Sequence, residues 1–99
     1  EGTRAEITIK GEFLPLAQTD AARELFDTYV AAAGEIGFQP DGEFTGGCAD
    51  SGFSAGVGAP TLCGLGPVGG KAHSPDEYIE VSSFVPRAQA LALTIMRAG

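Results

Sequence analysis

Ninety-nine residues hold one small domain at most, and 43% hydrophobic against 19% charged residues describe a globular rather than a disordered chain. A formal net charge of −7 argues against nucleic-acid binding, which needs a basic face, and against an anionic membrane surface. No apolar run reaches the roughly 20 residues of a membrane span, and no signal peptide is visible.

The chain starts at Glu1 and enters a strand pattern almost at once, as an excised or processed piece of a longer protein would. Thr3, Ala5, Ile7 and Ile9 alternate with Arg4, Glu6, Thr8 and Lys10, which predicts a half-buried strand over 3–10. Gly11 ends it, and Phe13-Leu14-Pro15-Leu16 is an apolar linker. Thr19 or Asp20 caps the next element. Ala22, Leu25, Phe26, Tyr29, Val30 and Ala33 then recur at helical spacing, with Gly34 or Gly37 as the stop. That stripe is complete as core without any ligand.

Phe38 to Phe44 reads as a short strand broken by the Pro40-Asp41-Gly42 turn. Thr45-Gly46-Gly47-Cys48-Ala49-Asp50 is a glycine loop. Ser51 to Val57 follows as a short helix with Phe53 and Val57 inward, and Ala59 to Gly64 as a short buried strand. A second glycine loop, Gly64 to Gly70, leads through Lys71 and Ala72 to His73, the only histidine. Ser74-Pro75-Asp76 is a turn and Tyr78-Ile79-Glu80-Val81 a strand. Ser83 caps the last helix, Pro86 sits in its first turn, and Phe84, Ala88, Leu91 and Ile95 form its inward stripe, widened by Ala92 and Met96. The order of elements is mixed α/β.

His73 is the first chemical candidate. An imidazole binds metal or moves a proton near neutral pH, although a lone histidine is more often a plain surface or core residue. The glycine loop before it brings backbone N–H groups close to a ligand or an anion. Cys48 and Cys63 match no paired-ligand spacing and read as two buried thiols. A disulfide would need an oxidising compartment, and a Cys48/Cys63/His73 metal site lacks adjacent ligand pairs. The residues do not fix the compartment, with a slight lean to the cytoplasm. Gly70-Lys71 ends like a phosphate loop, but Leu65 and Ala72 stand where glycine and a magnesium-binding hydroxyl are needed. Asp50 serves equally well as an N-cap for the short helix or as a functional carboxylate.

The run Gly64-Leu65-Gly66-Pro67-Val68-Gly69-Gly70-Lys71-Ala72-His73-Ser74-Pro75-Asp76-Glu77-Tyr78 resembles the C-terminal signature of the M20 zinc peptidases, the glutamate carboxypeptidase and aminoacylase-like enzymes. The loop Gly46-Gly47-Cys48-Ala49-Asp50 resembles the family's substrate-side glycine loop. Asp50 is kept, Ala49 replaces a hydroxyl residue, and Gly52 stands where asparagine is frequent. Leu14-Pro15 occupies the place of an arginine-proline pair that grips a substrate carboxylate in many members.

The resemblance implies that residues 1–44 close a lid and dimerisation domain and that residues 45–99 end an α/β catalytic domain. It implies His73 as the last ligand of a two-zinc site, with Asp76 or Glu77 as acceptor for its second ring nitrogen. Gly69, Gly70 and Asp50 would face a peptide or N-acyl amino acid substrate. The other ligands and the general base would come from the N-terminal part of a homodimeric enzyme, so this chain alone would be inactive. A small acidic interaction or dimerisation module is the alternative.

Overall fold

The computed structural model describes residues 1–99. Three helices and one minimal hairpin make up its regular structure: α1 (Asp20–Ile36), α2 (Ser51–Gly56), β1 (Gly69–Gly70), β2 (Tyr78–Ile79) and α3 (Phe84–Ala98). A 3₁₀ turn at Val81–Ser83 leads into α3.

Helix α1 follows local chemistry at both ends. The Thr19 hydroxyl accepts the Ala22 N–H at 3.1 Å, satisfying one of the helix's orphan donors. Gly37 stops it at φ 114°, a left-handed conformation that glycine adopts without a Cβ penalty, and its N–H returns to the Ala33 carbonyl. Ala22, Tyr29, Ala32 and Ala33 are buried, while Leu25, Phe26 and Val30 are half-buried. The expected stripe therefore holds, shifted slightly toward Ala32.

The core lies between α1 and α3. Tyr29, Ala33 and Ala90 form its centre, with Ile36, Phe38, Leu62 and Leu65 packed around them. Alanines at the contact bring the helices close. Arg87 reaches Tyr29 and Arg97 reaches Glu35, so the two helices lie side by side and run in the same direction. The core is thus built across the expected boundary near residues 44–45, and the two halves of the chain pack on each other.

Helix α3 turns a different face inward from the one its sequence suggests. Ala90 and Thr94 are buried, and Arg87 and Leu93 half-buried, whereas Ile95 and Met96 are 67% and 79% exposed and Phe84 is exposed as well. The helix is rotated by about one residue, roughly 100°. Small Ala90 permits close approach to α1, and the Thr94 hydroxyl is satisfied within the helix by donating to the Ala90 carbonyl at 2.7 Å. Ser83 is no side-chain cap for α3. Its hydroxyl accepts the Val68 N–H at 2.8 Å and donates to the Glu80 carbonyl at 2.6 Å, fastening the helix start to the base of the hairpin.

Three expected strands do not form. Residues 3–10 form no regular element, are exposed and have no backbone partners, and neither 38–44 nor 59–64 joins a ladder. A strand is stabilised by a neighbouring edge, and the one sheet of this chain is the β1–β2 pair. The expected α/β class is therefore realised as helices with a two-stranded hairpin. Around α2, Phe53 and Val57 are exposed rather than inward. The buried position is Gly52, where an added Cβ would overlap the Leu14 carbonyl, and Phe53 meets Phe13 with ring centroids 5.4 Å apart. Both cysteines are exposed free thiols, not buried ones.

The balance of surface is unusual. The chain exposes 7830 Å², whereas a compact monomer of this mass exposes about 5,300 Å². Its radius of gyration is 17.5 Å, against about 12.6 Å for a compact chain of the same length. Only seven of 99 residues are buried, so the apolar residues on α3, α2 and the N-terminal segment have no cover within the chain.

Candidate functional site

The hairpin that carries His73 is built by glycine and serine. Gly69 pairs with Ile79 and Gly70 with Tyr78, antiparallel, and the ladder is extended by the Glu80 N–H donating to the Val68 carbonyl at 2.7 Å. An added Cβ on Gly70 would stand 2.8 Å from the Tyr78 hydroxyl and 2.9 Å from its Cε1; one on Gly69 would overlap the Tyr78 carbonyl. Glycine is needed at Gly69 for the strands to approach, whereas a side chain at Gly70 would require the exposed Tyr78 ring to swing aside. Ser74 organises the tip: its hydroxyl donates to the Lys71 carbonyl at 2.7 Å and accepts the Asp76 N–H at 3.3 Å. The Glu77 N–H closes the turn on the Ser74 carbonyl at 3.2 Å.

Lys71 and His73 are the two non-glycine residues with positive φ, 56° and 63°. Such conformations cost free energy in residues with a Cβ and concentrate where function fixes the backbone. The result is an exposed imidazole at the end of a short, well-bonded hairpin. Its ring nitrogens make no hydrogen bond with the protein, and neither Asp76 nor Glu77 serves as their acceptor.

Asp50 occupies the N-cap position of α2, but its side chain makes no capping bond and is exposed. Its carboxylate is free. No group of three or more His, Cys, Asp and Glu side chains converges anywhere in the chain, so Cys48, Cys63 and His73 do not form a metal site. No helix is long and apolar enough to cross a membrane.

Two features escaped sequence reasoning. Arg87 donates to the Tyr29 hydroxyl at 3.3 Å and lies 5.0 Å from the centre of the Phe38 ring. Its position in the first turns of α3 gave no sign of these partners, which come from 58 and 49 residues upstream. The second is an apolar trough of about 290 Å³ whose lining includes Leu25, Leu62, Leu65, Leu91 and Ile95. Leu91 and Ile95 belong to the stripe that the sequence placed in the core.

The model of peptidase family M20/M25/M40 matches residues 3–97, and the chain belongs to that family. Comparison with curated proteins and with solved structures finds no match.

Proposed function

We propose that this chain is the C-terminal part of a zinc-dependent hydrolase that cleaves a peptide or amide bond, of the carboxypeptidase or N-acyl amino acid hydrolase type. The observation that carries the reading is His73: an exposed imidazole without a protein partner, held in a left-handed conformation at the tip of a hairpin. Neutral imidazole is a good zinc ligand, and a catalytic zinc takes about three protein ligands while keeping a position for water. This chain supplies one such ligand. Zinc bound there would polarise the substrate carbonyl and lower the pKa of bound water. The general base and remaining ligands belong to the N-terminal part of the enzyme, and the chain alone is inactive.

The residues of the chain would divide the remaining work. The hairpin carries His73 between its two strands. The backbone of Gly69 and Gly70 lines the substrate side, where the absence of Cβ atoms allows close approach. The free Asp50 carboxylate faces the substrate from the other glycine loop. Residues 1–44 end the lid and dimerisation domain, with α1 packed on the catalytic part formed by residues 45–99.

The uncovered surface supports the presence of a partner. The excess over a compact monomer is about 2,500 Å² on this chain alone; covering it would bury about 5,000 Å² counted over both partners, the size of large obligate interfaces. The N-terminal part of the enzyme would cover the trough between α1 and α3, and a second copy would complete the dimer. The same surface supports a second reading, a small acidic interaction module without catalysis.

Calorimetric zinc titration separates the two readings. It is run on this chain, then on the chain with the N-terminal part of a family enzyme, each with and without His73→Ala. Tight binding that requires the partner and His73 supports the hydrolase. Binding that is the same in the variant refutes His73 as a ligand and leaves the interaction module.

A further inference from the structure

A cavity of about 390 Å³ opens where α3 begins, lined by Phe38, Gln39, Val68, Ser82, Ser83, Pro86 and Arg87. Its volume lies in the range of small-molecule sites, about 300–1,000 Å³. Arg87 is its only charged residue. The guanidinium is held from two sides, by the Tyr29 hydroxyl that it donates to and by the Phe38 ring beneath it. Of its five N–H donors, one is engaged in this way.

Arg87 lacks a counter-charge, as Arg23 does, but Arg23 is exposed whereas Arg87 is half-buried. The chain carries 13 acidic side chains and six basic ones. Two of its arginines are paired, Arg4 with Glu6 and Arg97 with Glu35, yet no carboxylate pairs with Arg87. A half-buried, pre-oriented guanidinium is suited to planar anions, which it engages with two parallel hydrogen bonds. The wall beside it adds polar groups: the Ser82 hydroxyl and the Gln39 carboxamide line the cavity and make no hydrogen bond within the protein.

We infer that this cavity is a carboxylate-binding site, with Arg87 as the charge-bearing residue and Ser82 as a hydrogen-bond donor to the bound anion. The Tyr29 hydroxyl and the Phe38 ring position the guanidinium. The site stands apart from the His73 reading, because none of its residues belongs to the hairpin tip.

The test follows the Arg87 side-chain Nε–H and the Ser82 and Phe84 amides by NMR in the 99-residue chain. N-acetylglycine is titrated as the probe, then inorganic phosphate. The expected result is saturable binding of N-acetylglycine with a dissociation constant of about 1 mM. Arg87→Lys weakens it about tenfold, because an ammonium group lacks the planar fork. Ser82→Ala weakens it severalfold and, since that hydroxyl is exposed and unbonded in the protein, leaves the helical circular dichroism unchanged. Arg4→Met, at the far N-terminal ion pair, has no effect. Absence of saturation below about 50 mM N-acetylglycine overturns the inference, as does binding that is equal in wild type and Ser82→Ala. Phosphate binding without N-acetylglycine binding overturns the carboxylate assignment. Should Arg87→Lys lose helicity, Ser82→Ala decides the outcome.

Discussion

Tyr29 is the single large side chain that is almost fully buried, with 1% of its surface exposed. It touches every part of the core: Ala33 on its own helix, Ala90 across the contact, Phe38 at a ring separation of 6.4 Å in an edge-on arrangement, and Arg87 through its hydroxyl. Replacing it by alanine removes the largest buried apolar surface of the molecule and leaves a void that alanines on both helices cannot fill. The expected loss is about 3–5 kcal/mol, transfer and cavity costs together. Small domains have about 5–15 kcal/mol in total, and a core of five buried apolar residues belongs at the low end.

Tyr29→Phe keeps the ring and deletes only the hydroxyl that accepts from Arg87, with an expected loss of about 1 kcal/mol. Urea unfolding followed by helical circular dichroism measures both. With a urea slope of about 2 kcal/mol per molar, Tyr29→Ala lowers the midpoint by about 2 M and Tyr29→Phe by about 0.5 M. Equal shifts in the two variants would refute the account, because they would show that the ring contributes nothing to the α1–α3 contact.

Three further expectations concern the rest of the chain. The Glu35 carboxyl is held below its ordinary value of 4.5, first by the hydrogen bond from Arg97 and then by the guanidinium's charge, against a smaller opposing effect of desolvation. A carboxyl depressed in the folded state stabilises fully above its unfolded pKa and loses that contribution as pH falls through the folded one. Stability should therefore decline below about pH 4.5, and Glu35→Gln should flatten that decline; the pair is exposed, so about 1 M salt should weaken it as well. His73→Gly should leave the fold unchanged or stabilise it by up to about 1 kcal/mol in thermal unfolding, because glycine relieves the cost of φ 63°; a marked loss would show that the imidazole holds the hairpin together. Ile95→Glu or Met96→Glu should reduce self-association of the isolated chain in sedimentation velocity without loss of helicity, since both side chains are exposed on the uncovered face; a chain that is monomeric before substitution would contradict the reading of that face.

The parts of the molecule legible in the sequence are those whose physics is local. Thr19 and Gly37 delimit α1 because a hydroxyl cap and a left-handed stop act within a turn of the helix. The hairpin tip is equally local: Ser74 bonds residues two and three positions away, so the turn before Tyr78 could be read directly. The residues of the family signature are in that same stretch. The sequence did not reveal that Gly69 and Gly70 form a strand under Tyr78, since a glycine pair carries no alternation of apolar and polar side chains.

Tertiary structure decided the rest. For α3 the apolar stripe Phe84, Leu91 and Ile95 is genuine, but the close approach of α1 favours the neighbouring face, where Ala90 is small and Thr94 bonds within its own helix. Amphipathicity identifies an apolar face without saying which partner covers it. For residues 3–10 the alternation is equally genuine, yet strand formation depends on an edge that this chain does not offer. The sequence by itself determined the two long helices, the turn ahead of Tyr78 and the family. Which faces meet, where Arg87 finds Tyr29 and Phe38, and how much apolar surface stays open emerged only in three dimensions, because each depends on residues tens of positions apart.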